Sequence, residues 1–387
     1  MVISIIFWLA FFLVLLTYLF YPATLLILDR LHPGTGKELP GNYTPFVSVL
    51  MAVNNEEKVI ARKIKALYES DYPADRFEVI VGSDNSVDMT DPILDSLANE
   101  FSTLKIVKFG IRSGKPVIIN NLSGIASGEI LIITDANVFP ERNTIRRLVS
   151  NFSDPSVGLT DTRLITTGTS KEGISLSGAA YIGLETRLKN IEGRLWGKMM
   201  GPFGGFYAVR KKSYKPNSEN ALSDDFRICM NVIGGGEKVI SDMNSVVYED
   251  AANNLCEEYK RMTRISAGNF QNLRHFSRLL KNPFNTWSLI FISHKVLRWL
   301  TPLLWMIMLV MNLLLLKVSF LYTVLLILQL ILIILPPLDL ILRKAGINVV
   351  PIRYFTHLFL MNLAIASGFF RQLGGVESGV WEPTKRN

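Results

Sequence analysis

"LIITDANVFP", residues 131–140, decides how the chain is to be folded. Leu131, Ile132, Ile133 and Thr134 run straight into Asp135; Ala136 and Asn137 follow, and Pro140 ends the run. A short apolar run closed by turn residues reads as a buried strand. A carboxylate at its end either caps the next turn or faces something outside the sheet.

Upstream, the same pattern recurs. "FVSVLMAV" (46–53), "FEVIVGSD" (77–84) and "LKIVKFG" (104–110) read as strands, and "EILIITDA" (129–136) is the fourth. The segments between them read as helices: 56–70, with Val59, Ile60, Ile64 and Leu67 at helical spacing, then 91–101 and 115–126. Alternation of this kind predicts an α/β domain with a mostly parallel sheet covered on both faces. In such sheets, ligands lie beyond the carboxyl ends of the strands. The residues there are Asn54, Asn55 and Glu56; Ser83, Asp84 and Asn85; Arg112, Gly114 and Lys115; and Asp135 with Asn137. Acids, amides and cations on one rim suit a nucleotide and a metal. No Gly-rich phosphate loop follows the first strand, so a bound diphosphate needs another source of positive charge. Asp135 with a hard divalent cation, Mg or Mn, is the candidate, because such ions are held by one or two carboxylates and substrate phosphates.

The rest of the chain is unlike a soluble enzyme. Hydrophobic residues make up 49% of its 387 residues, and the mean hydropathy is +0.27. Residues 2–28 carry no charge, nor do 299–316 or 318–338, and 354–370 contain only His357. About 20 apolar residues span a bilayer as a helix, so the lipid bilayer is an expected partner. The first run is too long for a signal-peptide core and lacks a small-residue cleavage site; it is expected to stay as an anchor. The expected domains are an N-terminal helix (1–29), a soluble domain (40–283), interfacial and transmembrane helices (284–372) and a tail (373–387). Basic residues favour the cytoplasmic side. Arg30, Lys37, Lys281, Lys295, Arg298, Arg343, Lys344 and Arg353 put the soluble domain and the 343–353 loop in the cytoplasm, with only Lys317 opposite. The expectation is a multi-pass inner-membrane protein. The side of the C-terminus stays open, because "TKRN" is basic and "ASGFF" could break the last helix. The net charge of +8 is explained by these flanks. No basic face interleaved with aromatic readers points to nucleic acid, and Cys229 and Cys256 form neither a metal motif nor a disulfide framework.

Several segments, in order, resemble glycosyltransferase family 2, the inverting type related to cellulose, chitin and hyaluronan synthases. "VSVLMAVNNEEKVIARKIKAL" resembles its opening strand, "VIVGSDNSVDMT" its second-strand turn, and "RSGKPVIINNLSGIASGEILIITDAN" the segment leading to its D-x-D. "GPFGGFYAVRKKSY" resembles the acceptor-side Gly-rich segment, "LSDDFRICMNVIGGGEKVI" the segment with the base, and "EEYKRMTRISAGNFQNL" the approach to the membrane helices. The match runs from about 46 to 300. The resemblance implies a GT-A-type nucleotide-sugar domain. It implies that Glu56 and Asp84 meet the nucleoside with Asn55 in support, that Lys115 lies near the diphosphate, and that Asp135 holds the nucleotide and, with Asn137, the metal. Gly204, Gly205 and Asp224 fall on the acceptor side, and Asp225 is the general base, with Asp224 the alternative.

There are departures. Asn137 stands at the last D-x-D position, and Asn137→Asp is expected to be tolerated. Ala52 and Asn54 replace the usual Pro and Tyr. At the processive synthases' Q-x-x-R-W stand Arg261, Met262, Thr263, Arg264 and Ile265, so only the arginine survives. Arg261 and Arg264 either pair with the diphosphate or snorkel at the interface. The expected function is transfer of a sugar from a UDP-linked donor to a glycan or lipid-linked acceptor. The alternatives are single transfer to a lipid carrier or lipid-linked sugar, and a non-catalytic nucleotide- or glycan-binding module.

Overall fold

The structure is a computed structural model. It describes residues 1–33, 43–168, 174–250, 255–347 and 349–375, with the backbone alone over 174–180. Lys37, residue 348 of the 343–353 loop and the basic stretch 384–387 lie outside the described residues. The chain forms two compact units.

The first unit is built on one eight-stranded sheet. Its strands are β1 (Val47–Val53), β2 (Phe77–Asp84), β3 (Leu104–Phe109), β4 (Ile130–Thr134), β5 (Val138–Pro140), β6 (Val157–Thr167), β7 (Phe206–Arg210) and β8 (Lys238–Asp250). They lie in the order β3-β2-β1-β4-β7-β6-β8-β5. The β1/β2, β1/β4, β2/β3 and β6/β8 pairs are parallel, and β4/β7, β6/β7 and β5/β8 are antiparallel. The four strands expected from the sequence form the parallel half. The sheet as a whole is mixed, because the chain turns back at β7. Every residue of β1, β2 and β4 is buried, which explains why they read as unbroken apolar runs rather than alternating ones. β3 is an edge strand with Lys105 and Lys108 turned outward, charges that discourage edge pairing.

Register sets the site. Val53 faces Ser83 and Met51 faces Thr134, so the carboxyl ends of β1, β2 and β4 share one rim. Thr134 pairs with Phe206 across the antiparallel β4/β7 ladder, which brings the "GPFGG" loop to the same rim. Asn54, 2% exposed, donates from Nδ2 to the Asp84 carbonyl at 2.9 Å and ties the β1 and β2 ends together.

The second unit is helical: Met1–Leu31, the start of the Ile174–Trp196 helix, and the helices from Leu255 onward. Among the described residues, three helices are long and apolar enough to cross a membrane: Val2–Leu31, Thr286–Leu315 and Phe320–Lys344. Phe7 and Ala10 pack with Leu304, Met308, Leu315 and Tyr322. Ile5, Leu9, Phe12 and Leu19 are exposed, an apolar surface suited to lipid rather than water. The last apolar run forms one continuous helix, Val350–Leu373, so "ASGFF" does not break it. Leu255–His275, read from sequence as the end of the soluble domain, packs instead in this helical unit. Gly368 makes the contact possible. A Cβ there would lie 2.5 Å from Ser266 Cβ and 2.8 Å from the Thr263 carbonyl oxygen, a backbone approach that only small residues permit.

Candidate active site

Lys115 opens the Lys115–Ile125 helix, directly after Gly114 in a left-handed conformation (φ 88°). Its Nζ lies 2.6 Å from Asp135 Oδ1. Burial works against the Lys115 charge, but the carboxylates of Asp135, Asp224 and Asp225 outweigh it and raise its pKa. One cation thus faces the acid at the end of β4 and both acids of "SDD". The Asp135 side chain remains 39% exposed, so it keeps room for a ligand.

Asp224 and Asp225 form the first turn of the Asp224–Gly234 helix, where the helix dipole favours negative charge. Asp225 Oδ1 accepts from the Phe226 N–H at 2.8 Å. Burial, and then the charge of Asp224, push the Asp225 carboxyl up to about 6, with Lys115 opposing. Asp224 is 8% exposed, and its Oδ2 has no hydrogen-bond partner among the described residues. Gly204 lies on the other side of Asp225: at φ +80°, its Cβ would sit 2.4 Å from Asp225 Oδ2. The Gly205 carbonyl accepts from the Asp135 N–H at 3.0 Å, and a Cβ on Gly205 would strike Val138 Cγ2 at 2.8 Å. Both glycines are therefore needed for close approach.

Asp84 is fully buried, and its two oxygens accept from Ser113 N (2.6 Å) and Gly114 N (3.1 Å), with Arg112 Nε at 3.6 Å. It anchors the loop that delivers Lys115. Asn55 (φ 53°) and Asn85 (φ 54°) both take the left-handed conformation, which Asn tolerates better than most residues. Asn55 Oδ1 accepts from Val87 N at 2.9 Å, and Glu56 N donates to Thr90 Oγ1 at 2.8 Å, which closes the β1 and β2 turns on each other. Arg264 lies on the Leu255–His275 helix, in the helical unit.

The donor set at Asp135 and Asn137 is oxygen only, which fits a hard divalent cation. Asn137 Nδ2 donates to Glu249 Oε1 at 3.1 Å, so the amide oxygen is the atom left to ligate. Glu249, on β8 opposite Val138, has no signal in the sequence because its strand is paired only by the fold.

Two other groups were not read from the sequence. Beneath the "GPFGG" loop, Asp161 Oδ2 accepts from Phe203 N (3.1 Å) and Glu192 Oε2 from Met200 N (3.1 Å), while Lys189 Nζ sits 3.9 Å from the centroid of the Phe203 ring. Burial pushes the Asp161 carboxyl up to about 7, with Lys189 opposing. Under Asp135, Lys63 is fully buried, and burial pulls its pKa down to about 7 against the opposing field of Asp135. The signal for Lys63 was available, since it lies on the same helical face as Ile60, Ile64 and Leu67.

The mixed, mostly parallel sheet with helices around it is a GT-A-like α/β fold. Residues 48–216 match the model for glycosyl transferase family 2. The chain is 34% identical over 144 residues to the beta-monoglucosyldiacylglycerol synthase of Synechocystis sp., covering 35% of this chain and 30% of that protein. It is also 34% identical over 108 residues to the probable glycosyltransferase YdaM of Bacillus subtilis, covering 27% and 26%. The alignments thus span less than a third of the length of these curated relatives. Among solved structures, the mannosyltransferase PcManGT of Pyrobaculum calidifontis, in complex with GDP-Man and Mn2+, shares the fold. Its TM-score is 0.70 at 20% identity, over 95% of this chain and 99% of that one.

Proposed function

We propose that the protein is a membrane-embedded, inverting glycosyltransferase that moves a sugar from a UDP-linked donor to a glycan or lipid-linked acceptor. The observation that carries this is the sharing of Lys115 between Asp135, at 2.6 Å, and the Asp224–Asp225 pair. Asp225 takes the proton of the acceptor hydroxyl, whose oxygen attacks the anomeric carbon from the face opposite the nucleoside diphosphate. The bond to the diphosphate breaks, its charge develops near Lys115, and the configuration inverts. A positioned carboxylate base typically contributes about 10²–10⁴-fold, and a cation aimed at the leaving charge adds electrostatic stabilisation. A divalent cation held by Asp135 and Asn137 would neutralise the diphosphate. Mn2+ beside the nucleotide sugar in the mannosyltransferase complex supports that assignment. Asn55, Glu56 and Asp84 shape the nucleoside side, and Gly204, Gly205 and Asp224 the acceptor side. The catalytic domain is cytoplasmic.

A lipid acceptor with a single transfer is favoured by two observations. The relative from Synechocystis is named for glucosyl transfer to diacylglycerol, and Ile265 replaces the Trp of the processive synthases. The test is to incubate purified protein in liposomes with UDP- and GDP-sugars, with diacylglycerol and with lipid-linked sugars, reading diphosphate release and product mass. Release of UDP with a single-sugar lipid product is expected. No diphosphate release from any donor overturns the assignment.

A further inference from the structure

We propose that Lys63 is a positioning residue that fixes the Asp135–Asn137 turn against the Gly-rich loop; this rests on the glycosyltransferase assignment above. Lys63 projects from the inward face of the Ile60–Tyr68 helix, between Ile60, Ile64 and Leu67, and has no exposed surface. Its Nζ donates to Thr134 Oγ1 at 2.8 Å and to the Val138 carbonyl oxygen. These partners are the residue immediately before Asp135 and the residue immediately after Asn137. The ammonium therefore grips the turn from both ends. Thr134 passes the grip on: its hydroxyl lies 3.0 Å from the Gly205 carbonyl and 3.2 Å from that of Asp135. Asp135 N donates to the same Gly205 carbonyl at 3.0 Å. The remaining face of the ammonium looks onto the Phe206 ring, with the centroid at 5.1 Å.

Packing alone does not explain a lysine at this place. Burying an ammonium is unfavourable unless it is well partnered, and a methionine of similar length would fill the same space. What the ammonium adds is two hydrogen bonds, one to each end of a turn whose side chains are the proposed cation ligands. Across the turn itself the backbone offers just the long Val138 N–H···Asp135 O contact, at 3.4 Å, so the ammonium adds the direct tie between its two ends. Residues that orient metal ligands are typically worth about 10–100-fold in metal affinity or activity.

The test compares wild-type protein, Lys63→Met, Thr134→Val and Thr134→Ser. Each is titrated with Mn2+ in the presence of UDP, reading the loss of the free-ion paramagnetic resonance signal, alongside kcat, KM and thermal melting. Lys63→Met is expected to weaken Mn2+ uptake and lower kcat by about 10–100-fold, with the acceptor KM unchanged. Thr134→Val should show a smaller loss in the same two quantities, and Thr134→Ser, which keeps the hydroxyl, should match wild type. Should Lys63→Met fail to fold, the Thr134 pair decides: equal Mn2+ uptake by Thr134→Val and Thr134→Ser overturns the proposal. Normal Mn2+ uptake and kcat in folded Lys63→Met also overturn it while leaving the glycosyltransferase assignment standing. Wild-type protein that takes up no Mn2+ with UDP overturns the cation site proposed at Asp135 and Asn137 and, with it, this role.

Discussion

Asp225 and Asp224 differ by one position and by what surrounds them. Both act on Lys115 electrostatically, but Asp225 lies against Gly204, whereas Asp224 is more deeply buried, with an oxygen unpaired among the described residues. Asp225→Asn should keep the shape and nucleotide affinity and lower transfer by about 10²–10⁴-fold. Asp224→Asn should cost less. Calorimetry and initial rates on both variants check this; near-normal transfer by Asp225→Asn with collapse in Asp224→Asn would move the base to Asp224. Because the Asp225 pKa is raised to about 6, the carboxylate is ionised above that pH. Transfer should therefore fall as the pH drops through about 6, and the fall should be absent from the residual activity of Asp225→Asn. At Gly204, an alanine meets both a left-handed backbone, unfavourable by about 1–2 kcal/mol, and the Asp225 carboxylate. Gly204→Ala should reduce kcat while leaving nucleotide affinity intact. The structure also changes one expectation drawn from sequence. Since Asn137 donates to Glu249, Asn137→Asp places two carboxylates together, and transfer should fall unless Glu249→Gln accompanies it.

At the scale of elements, what could be read in the sequence depended on local signals. β1, β2 and β4 are unbroken buried runs closed by turn residues, so their strands and the rim residues Asp84, Lys115 and Asp135 could be found without the fold. β6 and β8 mix buried and partly exposed residues and pair with a bulge between Thr162 and Arg163, so no simple period marks them. Asp161 and Glu192 read as ordinary charged residues, whereas Lys63 stands out by its place on an apolar helical face. Their partners, the Val138 carbonyl, Phe203 N and Met200 N, are fixed by long-range packing that no local pattern encodes. In the helical unit, the contact at Gly368 offers a direct test of the Leu255–His275 pairing. Gly368→Leu inserts a side chain where even a methyl group collides with backbone. Overpacking of this kind typically costs about 1–3 kcal/mol, so thermal melting in detergent should drop, whereas Gly346→Ala, in an open turn, should change little beyond backbone strain.

For the whole molecule, three apolar helices flank and follow a domain of soluble composition. The basic flanks at Arg343, Lys344 and Arg353 predict that Ile347→Cys, in a background lacking Cys256, resists an impermeant thiol reagent applied outside intact cells. Lys317→Cys should react. The opposite pattern would put the catalytic domain outside, away from cytoplasmic sugar nucleotides. The dependence of chemistry on Asp135 is tested most directly by one measurement: the initial rate of UDP release from the UDP-sugar that the purified protein turns over, with Mn2+ present, for wild type and Asp135→Ala, and for wild type in excess chelator. The prediction is turnover by wild type with Mn2+ alone, and loss of both turnover and tight UDP binding in the other two. Full turnover in excess chelator, or by folded Asp135→Ala, would contradict it.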